Sequence, residues 1–274
     1  MKTFALALGG GGARGLAHIA VIEALDEMGV KPVAVAGTSI GALVGAAYAA
    51  AMPGKDIRRH VLALAHNRGE TMRRIIQARA GSFADLLSGG FGQATQIDAE
   101  KFCTQFLPEA IPPEFSSLAL PLTVTATDLH RREEAALSSG PLIAALAASI
   151  AIPGLFRPVA IDGRILIDGG ATNPLPFDRL RGLADFTVAV DVLGVPPAER
   201  GDIPGTWECV YTTLNIMGSA IVAAKLNHAR PDLLVRPKVA IFRTLDFYRA
   251  SAILRAAEAA KVEVRQRLGA LLAA

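Results

Sequence analysis

The stretch from Phe4 to Met52 reads FALALGGGGARGLAHIAVIEALDEMGVKPVAVAGTSIGALVGAAYAAAM, and its pattern decides the fold class. Phe4 to Leu8 predicts a buried strand, and Gly15 to Met28 predicts an amphipathic helix after a turn of glycines. Val33 to Ala36 predicts a second strand, followed by a helix of small residues. A strand, helix, strand, helix order within about fifty residues is typical of an α/β protein with a mainly parallel sheet.

Later segments repeat the strand pattern. They are Leu122–Thr127, Val159–Ile161, Arg164–Ile167, Phe186–Val190 and Leu233–Val235. Asp162-Gly163 favours a type I′ turn, so the second and third of these segments are predicted to pair as a hairpin. Leu245 to Ala274 is predicted to be mostly helix.

Residues 55–121 differ from the rest of the chain, with a basic helical stretch, a glycine turn at Gly89-Gly90 and a Pro112-Pro113 pair. The arginines of this stretch are Arg58, Arg59, Arg68, Arg73, Arg74 and Arg79. No linker or repeat divides the chain. We therefore predict one domain over residues 1–274, with a cap or lid inserted at about 55–121.

Composition excludes several classes of protein. Two isolated cysteines, Cys103 and Cys209, predict neither a disulfide scaffold nor a zinc site. A net charge of +3, with basic residues not interleaved with aromatics, argues against nucleic-acid binding. The apolar run at Phe4–Leu8 is too short for a signal peptide, so we expect a cytoplasmic protein.

The membrane alternative needs its own argument, because 51% of the residues are hydrophobic and the mean hydropathy is +0.37. No charged residue lies between Lys31 and Lys55, a length that suits a transmembrane helix, and its glycines have GxxxG spacing. The same stretch is also explained by a short strand and a helix of small residues. We prefer this explanation, because a spanning helix would bury Ser39 in lipid.

Ser39 stands in the pentapeptide GTSIG, between the predicted second strand and the following helix. GxSxG in that position is typical of a nucleophile elbow, in which Gly37 and Gly41 relieve crowding at a sharp turn. The helix that follows favours negative charge near the serine. A turn serine without a catalytic role would show the same five residues.

The segment Gly10 to Gly15 also contains GxGxxG, which allows two interpretations. A dinucleotide-binding unit expects an acidic residue at the end of the second strand, and VAVAGTS has none. Alternatively, free backbone N–H groups in the turn stabilise an oxyanion. Parallel neighbouring strands would place this turn and the serine at the same sheet edge.

A serine nucleophile requires a base. Asp128, Asp168 and Asp191 each end a predicted strand, and Asp168 is distinguished by Gly169-Gly170, which let the backbone turn away from its carboxylate. Turn or cap roles are expected for Asp128 and Asp191. His228 follows in the Ser, Asp, His order of α/β-hydrolases and is the alternative base, although it lies in a helix-like context.

Four segments together resemble the bacterial patatin-like phospholipases. They are GGGGARGLAH at Gly9–His18, GTSIGA at Gly37–Ala42, AIPGLF at Ala151–Phe156, and IDGG at Ile167–Gly170 followed by NPLP at Asn173–Pro176. The resemblance implies a three-layer α/β/α fold with a mainly parallel central sheet. It also implies a serine lipid acyl hydrolase that acts on phospholipids or other fatty acyl esters, without a metal or cofactor.

The same resemblance assigns roles to residues. Ser39 is the expected nucleophile, Asp168 the base, and Gly10, Gly11 and Gly12 the oxyanion turn. The supporting motif positions are Ala13, Arg14, Gly15, Gly37, Gly41, Gly169 and Gly170. A lipid-binding or regulatory protein that keeps the fold without catalysis is a second hypothesis. Peripheral contact of the arginine-rich cap with an anionic membrane is a further expectation.

Overall fold

A computed structural model describes residues 2–79, 96–194, 203 and 205–273. Its described strands form one sheet in the order β5-β6-β3-β2-β1-β7-β8, with β4 also paired to β3. The strands are β1 Phe4–Leu8, β2 Val35–Thr38, β3 Leu122–Asp128, β4 Glu133–Leu137, β5 Val159–Ile161, β6 Arg164–Asp168, β7 Phe186–Val190 and β8 Leu233–Val235. Strands β3, β2, β1, β7 and β8 are parallel, which confirms the mainly parallel sheet.

Strand β3 has an unusual set of neighbours. Strand β4 runs antiparallel along Val124 to Asp128 on one side. On the other side, β2 ends where Thr38 pairs with Thr125, and the antiparallel β6 ends where Asp168 pairs with Ala126. Because a strand residue has only two lateral neighbours, β2 and β6 approach each other end to end along the same side of β3.

Helices cover both faces of the sheet. The described helices are α1 His18–Glu27, α2 Ile40–Ala49, α3 Gly54–His66, α4 Arg68–Gln77, α5 Ala99–Phe106, α6 Leu142–Ser149, α7 Thr206–His228, α8 Ala250–Ala256 and α9 Glu258–Ala273. Phe4, Leu6 and Leu8 of β1 pack in the larger core, together with side chains of α1, α2, α6, α8 and α9. Ala5 and Ala7 face a thinner core that contains Val222 of α7. This arrangement confirms the three-layer α/β/α fold.

The stretch between Lys31 and Lys55 contains a strand and a short buried helix, as preferred above. Strand β2 begins and ends two residues later than predicted, at Val35 and Thr38, because its pairing with β1 continues to Gly37. By length and composition alone, one helix within the described ranges, α7, is long and apolar enough to cross a membrane.

Strand β4 and helix α7 were not predicted. Strand β4 has the sequence EEAAL, which lacks the β-branched and aromatic residues that favour strands, and it forms because β3 offers it a partner. Helix α7 has apolar residues on every side and no separate polar face, so it lacks the periodicity that identifies an amphipathic helix. The Asp162-Gly163 turn is confirmed, since both residues have positive φ and join β5 to β6.

The described part of the segment predicted as a cap contains helices α3, α4 and α5, while Gly89-Gly90 lies outside the described residues. Helix α3 is joined to α1 by a bidentate ion pair between Arg58 and Glu23. Phe102 of α5 packs edge to face on Phe156, with ring centroids 5.2 Å apart. The cap therefore contacts the AIPGLF segment, and its function as a lid stays a prediction.

Candidate active site

Ser39 lies at the sharp turn between β2 and α2 and has φ 53° and ψ −124°. Positive φ is rare for a residue with a side chain and is typical of a nucleophile elbow. The turn is tight, because a Cβ atom on Gly41 would lie 2.2 Å from the Leu8 carbonyl oxygen. On Gly37, a Cβ would lie 2.6 Å from the Cα atom of Ala42. Both flanking positions of the pentapeptide therefore require glycine.

The Ser39 hydroxyl donates a hydrogen bond to Oδ2 of Asp168, with 2.7 Å between the oxygens. The other carboxylate oxygen accepts the Gly170 N–H at 2.7 Å. Asp168 is buried, and burial raises its pKa to about 6, although the hydrogen bonds from Ser39 and Gly170 act in the opposite direction. The buried carboxylate is thus a stronger base than a carboxylate in water.

Ser149, the last residue of α6, holds the backbone of Ser39. Its hydroxyl accepts the Ser39 backbone N–H at 2.8 Å and donates to the Thr125 carbonyl at 2.7 Å. The residue is fully buried, so both hydrogen bonds are shielded from water. Sequence reasoning missed Ser149, although it lies just before the AIPGLF motif. The AIPGLF segment also fixes the backbone of Asp168, because the Ala151 carbonyl accepts the Asp168 N–H at 3.0 Å.

The glycine-rich turn lies beside the serine, since a Cβ on Gly10 would be 3.5 Å from the Ser39 Cβ. The Gly10 N–H already donates to the Pro174 carbonyl at 2.9 Å, which removes Gly10 from the predicted oxyanion donors. Within the described ranges, the N–H groups of Gly11 and Gly12 donate to no protein acceptor. The N–H of Ile40 also donates to no protein acceptor in these ranges. Ile40 follows Ser39 directly and is the first residue of α2. The signal for Ile40 was its position after the elbow serine.

Arg14 is buried and forms hydrogen bonds with three different partners. Its Nε donates to the Gly11 carbonyl at 3.2 Å, Nη1 to the Leu193 carbonyl at 2.7 Å, and Nη2 to Oδ1 of Asn215 in α7. In a trans peptide the C=O and N–H bonds point in opposite directions. By fixing the Gly11 carbonyl, Arg14 therefore orients the Gly12 N–H away from itself. Burial lowers the Arg14 pKa, and the charge of Asp191 opposes this effect.

The other motif residues pack the turn against the elbow. Ala13 is buried and donates its N–H to the Thr244 carbonyl at 2.7 Å. Gly15 faces Ile40, whose Cγ2 would lie 2.1 Å from an added Cβ. Gly169 makes an equally close approach to the Thr125 carbonyl, where an added Cβ would lie at 2.3 Å. These contacts join the glycine turn, the elbow and the Asp168 turn.

No histidine of the described chain is hydrogen-bonded to Ser39 or Asp168. His228, the alternative base, is exposed at the end of α7. His18 is buried behind the glycine turn, where its Nε2 contacts the Gly9 carbonyl at 2.8 Å, and burial lowers its pKa to about 4. A neutral His18 donates this hydrogen bond and helps to hold the turn.

The two other strand-end aspartates have the expected turn roles. Asp128 accepts the N–H groups of His130 and Arg131 in the turn between β3 and β4. Asp191 accepts the Leu193 N–H and pairs with Arg236 at 3.0 Å. Of the three, Asp168 alone is bonded to Ser39 in the described residues. Within the part of the chain that the structure describes, no group of three or more His, Cys, Asp or Glu side chains could hold a metal ion.

Residues 6–181 match the patatin-like phospholipase family over a segment that contains the elbow, the glycine turn and Asp168. The chain belongs to this family. An uncharacterized NTE family protein of Mycobacterium tuberculosis is 41% identical over 192 residues, which are 69% of this chain and 49% of the relative. The chain therefore spans about half the length of the mycobacterial relatives it matches.

Two more distant relatives of this patatin-like protein match over more of its length. Lysophospholipase NTE1 of Coccidioides immitis is 29% identical over 90% of this chain and 16% of the relative. The human patatin-like phospholipase domain-containing protein 6 is 27% identical over 90% of this chain and 19% of the relative. In structure, the chain resembles VipD from Legionella pneumophila with a TM-score of 0.51, over 96% of this chain and 66% of VipD. At 16% identity this likeness concerns the fold alone.

Proposed function

We propose that this patatin-like protein is a serine lipid acyl hydrolase that cleaves fatty acyl esters through an acyl-Ser39 intermediate. The observation that carries the proposal is the 2.7 Å hydrogen bond from the strained Ser39 to the buried Asp168. Membership of the patatin-like phospholipase family supports the lipid substrate, as does the similarity to a fungal protein named lysophospholipase.

In the acylation step, Asp168 accepts the hydroxyl proton while Ser39 Oγ attacks the ester carbonyl. A carboxylate is a weak base toward serine, so the reaction depends on the pKa of about 6 that burial gives Asp168. At pH 7 to 8 this carboxylate is still charged. It is already in contact with the proton that it must accept.

The carbonyl oxygen carries the negative charge of the tetrahedral intermediate, and this charge needs hydrogen-bond donors. The N–H groups of Gly11, Gly12 and Ile40 are assigned this role, because they donate to no acceptor in the described chain. Gly11 and Gly12 follow Gly10, which lies beside Ser39, and Ile40 follows Ser39 itself. Each well-placed donor of this kind contributes about 3 kcal/mol to stabilisation of the transition state. The start of α2 adds a favourable dipole at the same place.

The intermediate then collapses, the alcohol leaves with the proton held by Asp168, and water hydrolyses the acyl-enzyme with Asp168 again as base. The proposal treats residues 1–274 as one catalytic domain with residues 55–121 as a cap over the acyl chain. Contact between Phe102 of the cap and Phe156 supports this placement. A long acyl chain in that position would exclude water from the dyad.

The test combines labelling by a fluorophosphonate probe with hydrolysis of a short p-nitrophenyl ester. The proteins compared are wild type, Ser39→Ala, Asp168→Asn and His228→Ala. We expect labelling and hydrolysis to disappear in Ser39→Ala and to fall by at least about a thousandfold in Asp168→Asn. His228→Ala should keep full activity.

Four other outcomes would contradict the proposal. Full labelling of Ser39→Ala would exclude Ser39 as the nucleophile. Loss of activity in a folded His228→Ala variant would favour a Ser, Asp, His triad. Tight nucleotide binding without probe reaction would favour the dinucleotide interpretation of the glycine turn, and lipid binding without turnover would favour the non-catalytic hypothesis.

A further inference from the structure

Helix α7 exposes an apolar surface to solvent. Its residues 209–224 contain no charged side chain, yet only Gly218 and Val222 of the helix are buried. Ile216 is 64% exposed and Met217 is 55% exposed. A surface helix of a globular protein usually turns charged residues outward, and a helix that is apolar on all sides is usually buried. The outer face of α7 therefore has the composition of a buried surface.

We use the name α7 surface for Trp207, Val210, Ile216 and Met217, which are the large apolar residues exposed on this helix. The loop before α8 extends it. An ion pair between Arg243 and Glu208 at 3.3 Å joins this loop to the start of α7. The same loop exposes Leu245, Phe247 and Tyr248. Exposed apolar residues that cluster in this way mark an interaction site.

The α7 surface borders the candidate active site. Asn215, between Thr213 and Met217 on the same helix, accepts Arg14 Nη2 and donates to Thr244 Oγ1 at 2.7 Å. Thr244 in turn accepts the Ala13 N–H of the glycine turn. Near its start, the helix packs Trp207 against Gly154 of the AIPGLF segment. Whatever covers this surface thus lies beside the glycine turn and the AIPGLF segment of the candidate active site.

The residues at the edge of the α7 surface and on the adjoining loop before α8 have side chains that suit a lipid surface. Trp207 and Tyr248 are exposed there, and such amphipathic rings favour the boundary between lipid headgroups and acyl chains. Arg243 is 72% exposed and Arg249 is 45% exposed on the adjoining loop, where they can contact phosphate groups. Each of the two also pairs with a carboxylate of the chain, Arg243 with Glu208 at 3.3 Å and Arg249 with Asp246 at 3.7 Å, as do the cap residues Arg58, Arg59, Arg73 and Arg74.

We propose that the α7 surface docks on a lipid bilayer, with α7 lying in the plane of the interface and the glycine turn of the candidate active site close to the lipid. The choice of lipid as the occupant rests on the proposed function, since phospholipid substrates are held in bilayers and other aggregates in water. This docking face differs from the arginine-rich cap helices expected from the sequence, because it is defined by exposed apolar side chains.

The fluorescence of Trp207 can report the docking, because Trp207 is the single tryptophan of the chain. The experiment uses the Ser39→Ala protein, so that turnover does not alter the vesicles. We expect vesicles of phosphatidylcholine and phosphatidylglycerol to shift the tryptophan emission to shorter wavelength. Lipids brominated on the acyl chains should quench it. The same protein should float with the vesicles in a density gradient.

Replacing Ile216 and Met217 together by serine should weaken partition onto these vesicles by at least about tenfold. The matched control is Val262→Ser, which removes a 52% exposed apolar side chain from α9, in the opposite layer of the fold. This control should bind like the parent. In the active enzyme, the double variant should hydrolyse a soluble short ester normally and vesicle lipid more slowly.

Several results would overturn the docking proposal. They are the absence of vesicle binding, equal binding by the double variant, or an unchanged tryptophan spectrum with bound vesicles. A dimer that dissociates in the double variant would assign the α7 surface to a second copy of the chain instead. Because vesicle binding is measured without Ser39, it can succeed when no ester is hydrolysed, which separates failure of the docking from failure of the proposed function.

Discussion

The Ser149 hydroxyl accepts the Ser39 N–H at 2.8 Å, so the backbone of the proposed nucleophile is held by a side chain from another helix. Replacing Ser149 by alanine would leave that N–H and the Thr125 carbonyl without a buried partner, at a cost of about 1 to 3 kcal/mol. We expect Ser149→Ala to slow fluorophosphonate labelling about tenfold to a hundredfold. Thr104→Ala, which removes an exposed hydroxyl from α5, is the control. A lower melting temperature with unchanged labelling would reduce Ser149 to a structural role.

The buried state of Asp168 predicts the pH dependence of the reaction. The base must be charged, and its pKa is about 6. We expect kcat/KM for a soluble ester to be constant above this pH and to fall about tenfold per pH unit below it. The profile should be the same in His228→Ala. A fall that begins only near pH 4 would show that Asp168 is not desolvated in the active protein.

Asp168 should also reduce the stability of the fold. Burial raises its pKa from 3.8 to about 6, so the folded protein binds a proton more tightly than the unfolded chain does. The contribution to stability is most favourable below pH 4 and is lost as the pH rises through 6, by up to about 3 kcal/mol. Asp168→Asn should therefore raise the melting temperature relative to wild type at pH 8 while abolishing activity. The difference should shrink toward pH 4, and a less stable variant at pH 8 would contradict the prediction.

Arg14 is expected to act through the orientation of the Gly12 N–H. Lysine keeps the charge but cannot reach the Gly11 carbonyl, the Leu193 carbonyl and Asn215 at once. We expect Arg14→Lys to lower kcat about tenfold or more with little change in KM, because the donor matters only in the transition state. Arg73→Lys in α4 serves as the control. A rise in KM with unchanged kcat would instead indicate that Arg14 binds substrate.

Gly41 is expected to be essential for folding. A Cβ there would lie 2.2 Å from the Leu8 carbonyl and 2.6 Å from that of Gly9, so alanine would push α2 away from β1. Gly41→Ala should unfold the protein or lower its stability by several kcal/mol, on the order of the strongest core mutations. Gly69→Ala, at an open position of α4, should be neutral or stabilising by up to about 1 kcal/mol. Denaturant titration of both variants measures the difference, and equal midpoints would contradict the close approach.

The sequence predicted the parts of the site that depend on local patterns. The strand before the glycine turn, the elbow at Ser39 and the hairpin before Asp168 each follow from periodicity and turn residues within a few positions. The partners that come from distant segments were not predictable in the same way. Ser149, Asn215 and the Pro174 carbonyl acquire their roles only when α6, α7 and the NPLP segment pack on the site.

The dependence on distant segments also explains why Gly10, expected to be an oxyanion donor, is not available for that role. Three adjacent glycines have equivalent sequence signals, and the tertiary contact with Pro174 decides which N–H groups stay free. Helix α7 was missed because its apolar residues lie on all sides, so its face toward lipid or solvent has no periodic signal. Strand β4 depends on pairing with β3 and has little strand propensity of its own.

The meeting of β2 and β6 beside β3 has a consequence for how such proteins diverge. Thr38 and Asp168 pair with consecutive residues, Thr125 and Ala126, so the spacing of serine and aspartate is set by one peptide unit of a third strand. The cap that follows α2 can therefore lengthen, shorten or be exchanged without altering that spacing. Insertions can thus accumulate in the cap, where we propose that the acyl chain lies, while Ser39 and Asp168 stay in register.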